Sequence, residues 1–254
     1  MAPQERVRAP LDITVAIIGG GVGTSIALEL CRRGCRVRLH DADPIACQHA
    51  VNALVAELHL HVAEGLLMPQ DVDTVAGRCE AATEMKDAVH GADLVIETLA
   101  EDGDAKRSVF AQITSACDEC GMSPADVTLA SNTFTSTPSE TVRGVAGEAW
   151  AERAVGLRFF APFAFIDDVE LTRPPDARTC DAAHGLLTQL RFRPWCRTPE
   201  SRRLAITPAN LALYVKRQRE QCARDAAEVH ARVVHHLPPP RPLFDFPWSR
   251  SAAT

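Results

Sequence analysis

The stretch VAIIGGGVGTSIALEL, residues 15–30, joins an apolar run to the glycines Gly19, Gly20 and Gly21 and continues with a helical pattern. Ile26, Ala27, Leu30 and the following Cys31 fall on one side of that pattern. A strand that enters a glycine turn and leaves as a helix brings backbone N–H groups and the positive end of a helix to one point, which suits a pyrophosphate. In the pattern G-x-G-x-x-G the first glycine makes the tight turn, the second admits the pyrophosphate and the third lets helix and strand pack closely. Counted from Gly19 and Gly21, the third place holds Thr24, and Gly23 comes one residue early. The loop is therefore either one residue short or carries a branched side chain where space is tightest. A turn of an α/β sheet that binds nothing is the bland alternative.

Working outward, RVRLH at 36–40 alternates like a strand and stops at Asp41, 20 residues beyond Gly21. A dinucleotide-binding unit places there the carboxylate that takes the ribose hydroxyls. An acid also repels a 2′-phosphate, so NAD is expected over NADP. Residues 44–67 have a helical pattern, and from Pro44 to Gly77 the acids Glu57, Glu64, Asp71 and Asp73 occur with no Lys or Arg. A short strand near Cys79, a helix capped by Thr83 or Glu84, and a strand at 94–96 follow. Glu101 closes that crossing, and Lys106 is expected to begin the next helix. A strand at 127–130 leads into Ser131, Asn132 and Thr133, polar residues at the carboxyl end of a strand, where open α/β sheets bind ligands. Strands at 155–160 and 168–172, a helix at 176–190 and a strand at 192–196 complete an alternating βα series. Such a series predicts a doubly wound, mostly parallel sheet of Rossmann type. Thr207 and Pro208 then open a long helix over 209–236. The expected organisation is an arm at 1–12, a Rossmann-like NAD-binding domain at 13–200, a C-terminal helix at 201–237 and a Pro/aromatic tail at 238–254.

The composition narrows the function. The chain has 254 residues, 46% of them hydrophobic, and a formal net charge of −6. That balance argues against a general nucleic-acid or anionic-membrane binder. No run reaches the ~18 apolar residues of a membrane span, and MAPQERVRAPLD lacks the apolar core of a secretory leader. Nine cysteines without a leader point to a reducing intracellular compartment, cytoplasmic or mitochondrial. Cys117-x-x-Cys120 has no second Cys/His pair at finger spacing, and His59 and His61 diverge on a helix, so no metal is expected. The arginines at 191, 193, 197, 202 and 203, followed by Lys216, Arg217 and Arg219, read as a solvated face or a docking surface for an acidic partner or a phosphate.

Taken together, the glycine turn, Asp41, GADLVIE before Glu101 and Lys106, ASNT at 130–133, GLRFFAP at 156–162 and VEL at 169–171 resemble the 3-hydroxyacyl-CoA dehydrogenases over about residues 12–200. The resemblance implies that Gly19, Gly21, Gly23 and Asp41 hold the adenine side of NAD. It implies that Glu101 and Lys106 line the nicotinamide and substrate cleft, and that Ser131 bonds the substrate oxygen. The family base is a His between Gly-Leu and Phe-Phe, oriented by the Glu that matches Glu170. Here that place is Arg158. A guanidinium has a pKa above about 12 and no acceptor lone pair, so it cannot take the proton. Paired with Glu170 it becomes a structural salt bridge across neighbouring strands.

Further departures from the family are Ala161 in place of an Asn and the missing basic residue for coenzyme A, which makes binding of that carrier doubtful. The family's helical domain is reduced to one helix, on which Asn210 is the candidate for a catalytic Asn. The tail residues Leu243, Phe244, Phe246 and Trp248 follow a proline run and either pack back on the sheet or anchor into a protein partner. The expected function is a 3-hydroxyacyl-CoA dehydrogenase-like protein that binds NAD but is catalytically impaired. The alternative is an interaction subunit using the domain as scaffold, and an active dehydrogenase with a different base is least favoured.

Overall fold

The computed structural model describes residues 12–63, 67–133, 136–160, 163, 167–172 and 177–196. Ala161, Asn210, the helix expected over 209–236 and the tail residues Leu243, Phe244, Phe246 and Trp248 lie outside the described residues.

β1 (Thr14–Ile18) is buried at every position, as a strand must be when helices cover both faces of a parallel sheet. Its side chains alternate between two apolar clusters, Val15 and Ile17 into one, Ala16 and Ile18 into the other. The chain continues through α1 (Gly21–Arg32), β2 (Arg36–His40), α2 (Pro44–Ala63), a 3-10 turn (Pro69–Asp71) and α3 (Val72–Ala76). Then come β3 (Cys79–Ala81), α4 (Met85–Val89), β4 (Leu94–Glu97), α5 (Gly103–Glu119), β5 (Thr128–Ser131), α6 (Pro138–Ala146) and α7 (Glu148–Ala151). β6 (Ala154–Phe159), β7 (Asp168–Thr172), α8 (Ala177–Gln189) and β8 (Arg193–Cys196) complete the series. The sheet order is β3-β2-β1-β4-β5-β6-β7-β8, and β6 and β7 form its antiparallel pair. Apolar residues of α1, α2, α3 and α8 fill one face, and those of α4, α5, α6 and α7 fill the other. The strand order reverses between β1 and β4, so the crevice of this doubly wound sheet opens at their carboxyl ends.

Several boundaries move by a residue or more. α5 begins at Gly103 rather than at Lys106, because the Asp102 carboxylate accepts the N–H groups of Asp104 and Ala105, each at 2.9 Å. Those backbone donors hold the Asp102 carboxyl below its ordinary range and bring Lys106 inside the helix. At α4 neither expected cap bonds the backbone: Glu84 stands at the N-cap without a capping bond and pairs instead with Lys86 at 2.9 Å. β5 ends on Ser131, one residue later than expected, which sets Ser131 beside Glu97 in register. Gly34 stops α1 with a positive φ of 101°. Its N–H bonds Cys31 O and that of Cys35 bonds Leu30 O, the paired bonds that close a helix.

The last βα unit is fastened by Arg33. Its Nε lies 2.8 Å from a Glu29 oxygen, one terminal nitrogen bonds the carbonyls of Leu190 and Arg191, and the other reaches Asp167 at 2.6 Å. The guanidinium also lies 3.8 Å above the Phe192 ring. A rigid planar fork with five N–H groups can satisfy all of these at once. Of the basic residues near this point, Arg193 is also paired, with Asp168 at 2.6 Å.

Cys31, Cys35, Cys47, Cys79 and Cys117 are buried. Burial pushes Cys35 and Cys117 up to about 12, so they behave as small apolar side chains. Cys117 lies in the last turn of α5 and Cys120 at its C-cap. Among the described residues no group of three or more His, Cys, Asp or Glu could hold a metal, and no helix is long and apolar enough to cross a membrane.

His61 is buried while His59 is exposed. Burial, with Arg32 acting in the same direction, pushes His61 from 6.5 down to about 4. Its Nδ1 has no hydrogen-bond partner among the described residues. The unfolded chain takes the proton near its ordinary pKa and the folded chain refuses it, so this contribution is present above the ordinary value and is lost as pH falls. The shift corresponds to about 3 kcal/mol. Urea unfolding of wild type should therefore lose stability between pH 6.5 and 4 more steeply than the His61→Leu variant. Parallel pH profiles would show that His61 titrates normally.

Candidate functional site

The crevice begins at the glycine loop. Gly19 has a φ of 109° and Gly21 one of 43°, conformations that side chains rarely adopt. The Gly19 N–H donates to His40 O at 2.8 Å, tying the loop to the end of β2. A Cβ on Gly23 would stand 2.5 Å from Thr98 Oγ1 and 2.7 Å from Ile17 Cγ2. Gly23 therefore makes the close helix-to-strand contact, and the loop is one residue short of the usual spacing. Thr98 is the residue that sequence reasoning missed here: its hydroxyl donates to Ile18 O and Gly19 O at 3.1 and 2.9 Å, and so fixes the turn from the neighbouring strand.

α1 has no side-chain cap and no acid in its first turn, so the positive end of the helix is left open beside the exposed Gly21 and Val22. Asp41 is half-buried at the end of β2. Its Oδ2 accepts the Gly20 N–H at 2.9 Å and its Oδ1 that of Asp43 at 3.1 Å. Each carboxylate oxygen has a second lone pair, so bracing the loop leaves acceptor capacity for a diol.

On the other side of the switch point Glu101 and Lys106, expected to line the cleft together, part company. Lys106 is 1% exposed, and its Nζ meets Glu97, 3.0 and 2.8 Å from the two carboxylate oxygens, rather than Glu101. Glu97 is 0% exposed and also accepts the hydroxyl of Ser131 and the N–H of Leu99. Ser131 is itself fully buried. Its hydroxyl is thus spent on an internal bond and does not face the open crevice. Glu101 stands at the surface and accepts the Thr133 hydroxyl at 2.8 Å. Glu97 was hidden in the sequence because it ends an apolar strand, LVIE, and the signal that could have found it is Lys106, a cation buried by its helical position and in need of a partner.

Arg158 on β6 stands opposite Glu170 on β7 in the antiparallel register. One guanidinium nitrogen lies 3.0 Å from Glu170 Oε2, and both side chains are almost fully withdrawn from water. The expected salt bridge is present. Beside it, Asn132 accepts the Phe159 N–H at 3.2 Å and links the ends of β5 and β6.

Removing one member of a buried ion pair leaves an uncompensated charge, at a cost of about 3–5 kcal/mol. Lys106→Met should lower unfolding stability by that order, and adding Glu97→Leu should restore much of it. If the single variant is as stable as wild type, the pair does not hold the crevice together.

The geometry agrees with comparisons to known proteins. Residues 14–191 match the family described as 3-hydroxyacyl-CoA dehydrogenase, NAD binding domain. The chain is 32% identical over 160 residues to 3-hydroxyadipyl-CoA dehydrogenase of Escherichia coli, covering 62% of this chain and 31% of that protein. It is 29% identical over 160 residues to a probable 3-hydroxybutyryl-CoA dehydrogenase of Bacillus subtilis, covering 63% and 52% respectively. A solved 3-hydroxybutyryl-CoA dehydrogenase from Escherichia coli is similar with a TM-score of 0.64 and 27% identity, over 72% of this chain and 38% of that one. The chain thus spans about a third to a half of the length of these curated relatives. The doubly wound strand order of the described residues, the glycine turn and the match over 14–191 lead to one assignment: the chain belongs to the 3-hydroxyacyl-CoA dehydrogenase family, of which it carries the NAD-binding domain.

Proposed function

We propose that this protein binds NAD in the crevice between β1 and β4 and is impaired in the oxidation of 3-hydroxyacyl substrates. The observation that carries the proposal is Arg158, bonded at 3.0 Å to Glu170 in the place where the family resemblance calls for a His base. A hydroxyl can give up a hydride only if some group accepts its proton. Arg158 has no acceptor lone pair, and the carboxylate that would orient a base is occupied by the guanidinium.

Support for the cofactor comes from this chain's own residues. The open N-terminus of α1, with Gly19 and Gly21 in left-handed conformations, would face the pyrophosphate. Asp41 would take the ribose hydroxyls and disfavour a 2′-phosphate. NAD, when bound, supplies a hydride acceptor. Lys106 and Ser131 contribute by fixing the β4 and β5 ends through Glu97, and the exposed Glu101 would line the substrate side. Against a coenzyme A thioester stands the run from Pro44 to Gly77, which has acids but no Lys or Arg.

Titration with NADH, read by fluorescence transfer from tryptophan, should saturate with a Kd below about 1 mM, and NADPH should bind more weakly. No response to either nucleotide would sink the binding claim. Gly23→Ala, which forces a Cβ against Thr98 and Ile17, should weaken NADH binding at least tenfold. With 3-hydroxyacyl-CoA and NAD the wild type should show no turnover above background. Turnover that disappears in Glu170→Gln while the fold is retained would mean that another group accepts the proton and that the reading of Arg158 is wrong.

A further inference from the structure

Most of the described thiols are sealed inside the sheet sandwich, but Cys180 is half-buried and Cys196 is exposed. Topology brings these two together. β7 and β8 are parallel neighbours joined by α8, so α8 runs back against the strands and its first turn lies level with the end of β8. Cys180 is in that first turn, one and two turns before the core residues Ala183 and Leu187 on the same stripe. On β8, Cys196 pairs in register with Leu171, whose side chain enters the cluster against which Cys180 packs. Both sulfurs therefore lie on the α8 side of the sheet, near the carboxyl end of β8.

We propose that Cys180 and Cys196 form a dithiol site that low-molecular-weight disulfides, such as glutathione disulfide, oxidise to an intramolecular disulfide stapling α8 to the end of β8. The exposed Cys196 thiolate attacks one sulfur of glutathione disulfide, whose S–S bond breaks and releases one glutathione thiolate. Cys180, as thiolate, then attacks the Cys196 sulfur of the mixed disulfide and displaces the second glutathione. The two protein thiols lose two electrons and two protons, and the small disulfide is reduced to two thiols. Burial, and then the neighbouring Cys196 sulfur, push Cys180 up to about 12. Cys196 is accordingly the entry point, and Cys180 the residue that closes the bond. The closed bond would pin the edge strand whose Trp195 lies beside Glu170 in register.

The test uses the native full chain, incubated with glutathione disulfide, blocked with iodoacetamide and cut with trypsin. Cleavage after Arg178, Arg191 and Arg197, with the Arg193–Pro194 bond resistant, puts the two cysteines on separate peptides, 179–191 and 192–197. The expected result is a linked pair of these peptides, together with a Tm several degrees above that of the reduced protein. In Cys180→Ala the link is absent and glutathione accumulates on Cys196. A stable glutathione adduct on wild-type Cys196 with no linked pair, or Cys196 joined to a different cysteine, would overturn the proposal.

Discussion

Glu97 and Lys106 are both cut off from water, so neither charge is tolerable without the other. A buried pair of this kind adds little net stability, because desolvation offsets most of the attraction; its effect here is geometric. Glu97 ends β4 and accepts bonds from Lys106 on α5, Ser131 on β5 and the N–H of Leu99. Four pieces of chain therefore converge on one carboxylate. The turn after β4 has its course set by those bonds, and Thr98 at its start reaches across to the Gly19 carbonyl. Through that hydroxyl, the internal pair determines how close α1 can approach the sheet and so the shape of the crevice.

The second buried pair has a different effect. Arg158 and Glu170 oppose each other where the sheet changes to an antiparallel pair, and there directly facing residues meet side by side. A cation of any kind would meet the electrostatic need of Glu170. Only one able to give up its proton would serve a reaction, and arginine does not. The fold is thus kept with an arginine facing Glu170 across the two strands. The sheet keeps its strand order and register around this pair, while the glycine loop is one residue shorter than the usual spacing.

Much of this was legible in the sequence for physical reasons. A parallel strand buried on both faces reads as an apolar run, and a strand-to-helix turn advertises itself by glycine, so β1, α1 and the mostly parallel sheet came through. Asp41 and the Arg158–Glu170 bridge were readable because each depends on position along a strand. The partner of Lys106 was not, because Glu97 and Glu101 are both carboxylates near one strand end, and only burial separates them. The role of Gly23 was ambiguous for a similar reason: spacing names a candidate, but the approach of Thr98 and Ile17 decides it. Arg33 was invisible altogether, since its partners Leu190 and Arg191 are backbone carbonyls about 157 residues away.

That last distance bears on the order in which the chain is assembled. Of the polar partners of Arg33, Glu29 lies one turn away and is present as soon as α1 forms. Asp167, the two carbonyls and the Phe192 ring emerge only near the end of the domain. During synthesis the guanidinium would be held in place by Glu29 long before its remaining partners exist. Attachment of the final α8–β8 unit then becomes a late step onto a preset anchor, and the sequence that prepares it is read out within the first tens of residues.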